Sequence, residues 1–457
     1  MQKFDAIIIG TGQSGPPLAR RLVAAGHKVA VIERKFFGGT CVNTGCTPTK
    51  TLIASAYAAH LARRASDYGV GIAGAIQVDM KAVKARKDAV VGVSRHAVEH
   101  SLKTLDGCTV YEGHGRFSGS KSVAVGDVGL TAEHIFLNVG GRAVIPSIPG
   151  LDRVPYLTNS SMMEVDFLPG HLLILGGSYV GLEFAQMFRR FGSEVSVIEA
   201  APRLIAREDE DVSSAVADFL QKEGVRLYLN SKAVEVKQDR NGIGVSVRSG
   251  EQTSDVGGTH LLVAIGRRPN TDDLGLDKAG VATDSRGYIV VDDELRTGIP
   301  GIWAIGDCNG RGAFTHTSYN DFEIVAGNLL DKERRRVSDR IMAYALYTDP
   351  PLGRAGMTEA EVRKTGKPAL IAILPMENVS RAYEKGETTG FMKILVDRDS
   401  EQILGASLLG LSGDEVVHCV LDVMYAKASY KVLQRAMHIH PTVAEFTPTM
   451  LDDLRQL

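Results

Sequence analysis

An excess of charge of either sign is nearly absent, with 52 lysines and arginines against 54 acids. The 457 residues carry a formal net charge of -2, so no general attraction to nucleic acid or to an anionic membrane surface follows, and neither is expected as a partner. No apolar run approaches the roughly 18 residues needed to cross a bilayer. The chain enters a strand-like run, Phe4 to Gly10, almost at once. It shows no charged stretch, apolar stretch and small-residue site of a secretory leader, so a cytoplasmic location is expected. Cysteine is sparse and odd in number: Cys41, Cys46, Cys108, Cys308 and Cys419. That set is unlike the disulfide framework of a secreted protein. Zinc usually takes four nitrogen or sulfur ligands built on two close pairs, and only Cys41 and Cys46 are close, so no metal site is expected.

Hydrophobic content of 44% and charged content of 23% are those of an ordinary globular protein, and the length is enough for about three domains. Forty-nine glycines and 16 prolines point to many tight turns and close approaches of backbone to ligand. Residues 4–33 read as a strand (4–9), a helix (15–25) and a strand (28–33). Helices are predicted from about 51 to 65 and over 74–105, and short strands around 108–136. A second strand–helix–strand unit follows, at 172–175, 180–191 and 194–199. Its first glycine lies 166 positions beyond Gly10, a duplicated architecture and not a short repeat. Strand-like runs recur at 260–270 and 289–309. Strands at 369–374 and 390–396, then helices at 413–427 and 430–437, read as a separate α+β domain.

Both units carry a glycine-rich turn between strand and helix. In Gly10-Thr-Gly12-Gln-Ser-Gly15, the first glycine permits the turn, the second admits a pyrophosphate, and the third lets helix and strand pack. A helix N-terminus favours an anion there. Glu33 ends the next strand, 18 residues beyond Gly15, where a carboxylate binds ribose hydroxyls. The second unit reads Gly176-Gly-Ser178-Tyr179-Val-Gly181, with Ser178 in place of the middle glycine and Glu199 ending its strand. A carboxylate at Glu199 accepts from a 2′-hydroxyl and repels a 2′-phosphate, which favours NADH over NADPH; Arg203 and Arg207 lie just beyond and would suit the phosphate. Two nucleotide units in one chain suit a relay, one cofactor held and the other delivering hydride and leaving.

Gly38-Gly-Thr40-Cys41-Val-Asn-Thr-Gly-Cys46-Thr-Pro-Thr-Lys50 carries the most chemistry. Four residues separate the cysteines, which permits a small disulfide ring where a helix starts. A helix N-terminus and nearby cations both stabilise a thiolate. In a helix from Cys46, Lys50 lies one turn on, on the same face. Two such cysteines taken alone would also suit inert buried thiols. Beside a dinucleotide unit, redox chemistry is the stronger reading.

Over essentially its whole length the chain resembles the class I pyridine nucleotide–disulfide oxidoreductases, which include dihydrolipoamide dehydrogenase, glutathione reductase and mercuric reductase. The resemblance rests on Gly10–Glu33, Gly38–Lys50, Gly176–Glu183, Ala264–Asn270, Thr297–Asp307 and His438–Glu445. It implies an α/β fold with two Rossmann-like dinucleotide-binding domains, for FAD and NAD(P), and a C-terminal α+β dimerisation domain. The expected division is 1–148 with 271–340 for FAD, 149–270 for NAD(P), and 341–457 for the interface.

The resemblance also implies roles. FAD falls to the first unit, with Thr40, Lys50, Gly115 and Asp307 among its contacts, and Gly266 joins the cofactor-binding set. Cys46 is the thiol packed on the flavin, Cys41 the interchange thiol, and Glu183 the partner of Lys50. Tyr179 occupies a position where some relatives gate the nicotinamide. Thiol exchange needs a proton acceptor and donor near neutrality, which an imidazole fixed by a carboxylate supplies. His440 and Glu445 match the family's His–Glu pair, which acts across a homodimer interface.

The expected enzyme is therefore an FAD-dependent NAD(P)H:disulfide oxidoreductase with a dihydrolipoamide-dehydrogenase-like small thiol or disulfide substrate. Tyr347–Met357 and Arg203–Asp209 lean towards a mercuric-reductase-like branch acting on metal ions or oxidants, although no cysteine follows Cys419. Asn138-Val-Gly-Gly141 departs from the family's usual Ala-Thr-Gly. A flavin-binding redox sensor or complex subunit with little turnover is the reading from another class.

Overall fold

The computed structural model describes residues 1–239 and 242–457. Strands Gln2–Ile9, Val29–Glu33, Cys108–Glu112, Val128–Leu137 and Ile302–Ala304 form one parallel sheet. Ile7, Ile8, Val29, Val31 and Ile135 have no exposed surface, which explains their unbroken apolar runs: helices cover both faces of a parallel sheet. Val128–Leu137 is long enough to take two partners on one edge. Its end pairs with Ile302–Ala304, and its beginning with the hairpin of Gly115–Gly119 and Ser122–Val125.

The second parallel sheet runs Val225–Tyr228, Glu194–Ile198, His171–Leu175, His260–Val263, beside a three-stranded antiparallel sheet of Lys232–Asp239, Gly242–Ser249 and Gln252–Gly258. The third sheet is antiparallel and six-stranded, built from residues 343–456, with helix Gly413–Tyr425 against it. This is an α/β protein with two Rossmann-like units and a C-terminal α+β unit.

Register puts equivalent residues at equivalent edges. Ile9 pairs with both Ile32 and Leu137, so Gly10, Glu33 and Asn138 leave the first sheet together. Leu175 pairs with Ile198 and Val263, so Gly176, Glu199 and Ala264 leave the second together. Ligands of open α/β sheets bind at such carboxyl ends.

Three local expectations change. The helix predicted over 74–105 spans Met80–Lys103, because the Asp79 carboxylate caps it by accepting from the Lys81 and Ala82 N–H groups. Only Ile302–Ala304 is a strand within 289–309; the Asp292 carboxylate gathers the Glu294 and Arg296 N–H groups into a turn instead. The helix expected over 430–437 is the single turn Lys431–Gln434, and beyond it Met437 and Ile439 are 99% and 80% exposed. No helix among the described residues is long and apolar enough to cross a membrane.

Candidate active site

The dithiol segment lies against the first glycine turn. Cys41 sits on the short helix Gly39–Thr44, and Cys46 is the first residue of helix Cys46–Arg63. A β-carbon on Gly39 would stand 2.9 Å from the Gly12 Cα, so the two segments are in direct backbone contact. Any cofactor on the first turn is thus a neighbour of the dithiol.

Both cysteines are free thiols here, Cys41 half-buried and Cys46 exposed. Their acidities are pushed apart. The Cys41 thiol is held well above the usual range by its hydrogen bond with Cys46 and by burial. Cys46 is lowered to about 6, first by the Cys41 thiol, then by the Thr315 hydroxyl and the Lys50 ammonium, against the opposing effects of burial and Glu183. Its place at a helix N-terminus acts in the same direction. Burial pushes Cys108 up to about 11 and Cys308 up to about 12, as expected of inert structural thiols. Cys46 is therefore poised as a thiolate and Cys41 as a thiol.

Lys50 lies one turn beyond Cys46. Its ammonium donates to both Glu183 carboxylate oxygens at 2.9 Å, and the carboxylate also accepts from the Tyr347 N–H at 3.1 Å. Glu183 is 7% exposed and Lys50 34%. The Tyr347 ring lies under the ammonium, 4.5 Å from its centroid. Lys50, Cys46 and Glu183 thus come together from the first and second units, and Tyr347 joins them from just beyond the strand Ala343–Leu346 of the third sheet.

The two glycine turns are near copies. A β-carbon would stand 2.2 Å from the Asn138 carbonyl at Gly10 and 2.5 Å from the Ala264 carbonyl at Gly176. Positive φ values of 104° and 109° also demand glycine there. Gly15 and Gly181 each press on the carbonyl of the first glycine of their own turn. Ser178 has extended backbone and is exposed, which explains why a side chain is tolerated at that middle position. Glu33 accepts from the Thr11 N–H at 3.0 Å and from its hydroxyl at 2.6 Å. Glu199 accepts from the Gly177 N–H at 2.6 Å and the Ala201 N–H at 2.7 Å. Each acid thus braces its own glycine turn.

These residues fit dinucleotides. Neither helix has a side-chain cap or an acid in its first turn, leaving the positive end open to an anion. Pro16 and Pro17 supply no N–H, so in the first unit the donors fall to the turn itself. Beneath that turn the Asn138 amide nitrogen is buried without a hydrogen-bond partner among the described residues, about 3 Å from where β-carbons of Gly12 and Gly15 would be. Asp307 follows Gly306 at the end of the first sheet; burial raises its carboxyl, and Arg267 lies 3.8 Å away. Gly115 packs on Ile9 and Ile32, and the Thr40 hydroxyl accepts a long bond from Arg267 at 3.5 Å.

A cleft of about 2410 Å³ joins the units. Gly176, Ser178, Tyr179 and Glu199 line it from the second unit, with Gly266, Asp307, Phe314 and Tyr344.

His440 Nδ1 lies 3.0 and 3.1 Å from the two Glu445 oxygens. The imidazole is 74% exposed and the carboxylate 16%. Among the described residues, no hydrogen bond or ion pair joins His440 to Cys41, Cys46, Lys50 or Glu183 within the chain.

Sequence reasoning missed Thr315, whose hydroxyl is 3.3 Å from the Cys46 sulfur, and the Glu208–Tyr344 pair beside Tyr179. Thr315 and Tyr344 lie in no motif, and Glu208 falls within the Arg203–Asp209 segment, which gave it no role of its own.

Two dinucleotide turns, a dithiol with split acidities between them and an exposed His–Glu pair define a flavin- and nicotinamide-linked dithiol oxidoreductase. The pyridine nucleotide-disulphide oxidoreductase family matches residues 4–321 and its dimerisation domain residues 342–451, and the chain belongs to this family. It is an FAD-dependent pyridine nucleotide-disulfide oxidoreductase. The chain is 37% identical over 453 residues to the probable pyridine nucleotide-disulfide oxidoreductase RclA of Escherichia coli, covering 97% of this chain and 98% of that protein. It is 34% identical to a mercuric reductase of Streptomyces lividans, with 97% and 94% covered. It is 30% identical to a dihydrolipoyl dehydrogenase of Chlamydia muridarum, with 97% and 95% covered. A solved Cu(II) complex of the HOCl-induced flavoprotein disulfide reductase RclA from Escherichia coli superposes with a TM-score of 0.89 at 35% identity, covering 98% of this chain and 99% of that one.

Proposed function

We propose that the enzyme passes electrons from NADH, through FAD on the Gly10–Gly15 turn, to the Cys41–Cys46 pair, and from there to a small disulfide. The observation that carries this reading is the place of Cys46, at a helix N-terminus one turn before Lys50 and 3.3 Å from the Thr315 hydroxyl, on a dithiol segment whose Gly39 abuts Gly12 of the first glycine turn; its thiol is lowered to about 6 there. FAD, when bound, supplies the exchange of a hydride on one side for an electron pair on the other.

The chain's own residues do the rest. Gly176, Ser178, Tyr179, Gly181 and Gly266 receive the nicotinamide dinucleotide, and Glu199 favours a free 2′-hydroxyl, hence NADH. Lys50, fixed by Glu183, holds a positive charge beside Cys46. In the reduced pair the Cys41 sulfur attacks one sulfur of the substrate disulfide and expels a thiolate. The Cys46 thiolate then attacks Cys41, expels the second thiolate and closes the Cys41–Cys46 bond. His440, oriented by Glu445, takes the Cys41 proton and returns it to a leaving thiolate. The exposed Met437 and Ile439 around that histidine suit a homodimer in which His440 serves the partner's dithiol. The division 1–148 with 271–340, 149–270 and 341–457 goes with this assignment, as does a cytoplasmic, thiol-reducing setting.

A second reading is reduction of a soft metal ion or an oxidant. It is favoured by the likeness to RclA, solved as a Cu(II) complex, and to mercuric reductase. The deciding experiment is a steady-state panel with NADH and NADPH against lipoamide, glutathione disulfide, Cu(II), Hg(II) and quinones. Disulfide turnover abolished in both Cys41→Ser and His440→Ala supports the first reading. Metal turnover indifferent to His440→Ala, with no disulfide turnover, supports the second. Flavin reduction with no turnover of any acceptor sinks both in favour of a sensor.

A further inference from the structure

One carboxylate oxygen serves two tyrosines from different units. Tyr179, the first residue of helix Tyr179–Phe191, donates its hydroxyl to Glu208 Oε1 at 3.1 Å. Tyr344, on the strand Ala343–Leu346 of the third sheet, donates to the same oxygen. The rings meet edge to face, with centroids 5.4 Å apart. Glu208 is 1% exposed, and its other oxygen is buried without a hydrogen-bond partner. Tyr344 in turn stacks on Phe314, the residue before Thr315, at 5.4 Å. Tyr179, Tyr344 and Phe314 all line the cleft, and Phe314 is next in the chain to Thr315, whose hydroxyl meets Cys46.

A nicotinamide passing from the second glycine turn through the cleft towards the first unit, where the flavin would lie, would meet Tyr179 on the wall of that cleft. To make room the ring must turn away and give up its bond to Glu208. If Tyr179 were the sole donor, that movement would strand both oxygens of a buried carboxyl group, which is costly. Tyr344 removes that cost: its hydroxyl stays on Oε1 while Tyr179 leaves. We propose that Tyr344 is a positioning residue that keeps Glu208 satisfied and so makes Tyr179 displaceable by the incoming nucleotide. The inference rests on the reading above that the nicotinamide comes to lie beside Tyr179.

Anaerobic stopped-flow reduction of the FAD-loaded enzyme by NADH separates an apparent Kd from a limiting rate. Tyr344→Phe is expected to raise the apparent Kd about tenfold or more, the effect of leaving a buried acceptor without a partner, and to act on Kd rather than on the limiting rate. Tyr179→Phe has no bond to give up, so it is expected to lower the apparent Kd. In Tyr179→Phe/Tyr344→Phe the penalty of the Tyr344 change is expected to vanish. A rise that persists in the Tyr179→Phe background overturns the inference. So does an unchanged Kd in Tyr344→Phe when Tyr179→Phe shifts it. If neither Tyr179→Phe nor Tyr179→Ala moves the Kd, the nucleotide does not pass that ring, and the reading beneath the inference falls with it.

Discussion

The Thr315 hydroxyl lies 3.3 Å from the Cys46 sulfur, across 269 positions of chain. A hydroxyl that can donate to a thiolate stabilises the charged form, so the pair links helix Thr315–Leu330 of the first unit to the redox chemistry. Thr315→Val keeps the shape and removes the donor. The thiolate titration of the reduced enzyme, followed by ultraviolet absorbance or alkylation rate, is expected to rise from about 6 by about one pH unit, the worth of one hydrogen bond to a charged group. An unmoved midpoint would show that the hydroxyl does not act on the sulfur.

The same acidity predicts how stability follows pH. Cys46 titrates at about 6 in the fold against an ordinary thiol value of about 9, so the folded protein favours the thiolate more than the unfolded chain does. That stabilisation is fully present above pH about 9 and is lost as pH falls through about 6. Reduced wild type is therefore expected to lose its margin in Tm over Cys46→Ser between those limits. A margin constant with pH contradicts the low value.

Cys46 and Lys50 were legible because four positions on a helix put them on one face, and the glycine turns because each glycine answers to a local demand. Thr315, Tyr347, Glu208 and Tyr344 were not. Thr315 reaches Cys46 over 269 positions, Tyr347 reaches Glu183 over 164 and Tyr344 reaches Glu208 over 136, while Glu208 meets Tyr179 from 29 positions away, and a lone threonine or tyrosine carries no local signature. The missed turn at Asp292 has the same origin in reverse: Val290 and Val291 look like strand, but one carboxylate takes the backbone donors a ladder would need. The chain order of the sheets was readable from the duplicated units. The splitting of Val128–Leu137 between two edge partners was not, since strand length alone says nothing of what lies alongside.

A buried charge cluster joins the second unit to the third sheet. Lys393 is 1% exposed and lies 2.9 Å from Asp209, itself 5% exposed, and 2.8 Å from Asp211. Arg354, also 1% exposed, is 3.6 Å from Asp209. Removing one partner of a buried pair leaves a charge that water cannot reach. Lys393→Met is expected to cost about 3–5 kcal/mol in urea denaturation of the FAD-loaded enzyme. Asp211→Asn, whose side chain is 40% exposed, is expected to cost less than about 1 kcal/mol. Equal losses would mean that the cluster is held by packing alone.

Asn138 gives a test on the flavin side. Its amide nitrogen is buried under the Gly10–Gly15 turn and has no hydrogen-bond partner among the described residues. Asn138→Asp places an anion of the same shape beneath another anion. FAD affinity of the apoprotein, read from quenching of flavin fluorescence, is expected to fall about tenfold or more. Equal affinity in the two proteins would show that the turn screens this side chain from the phosphates.

The His440–Glu445 pair makes a prediction about subunits rather than side chains. The carboxylate holds Nδ1 at 3.0 and 3.1 Å, which leaves Nε2 of an imidazole 74% exposed to reach outward. If His440 serves the partner's dithiol, a mixed dimer of Cys41→Ser and His440→Ala subunits keeps one whole site: the intact thiols of the second subunit facing the intact histidine of the first. Random pairing makes half the dimers mixed, so about a quarter of wild-type turnover is expected from two proteins that are each inactive alone. If each dithiol instead used the histidine of its own chain, both sites of every mixed dimer would stay broken and co-expression would recover nothing.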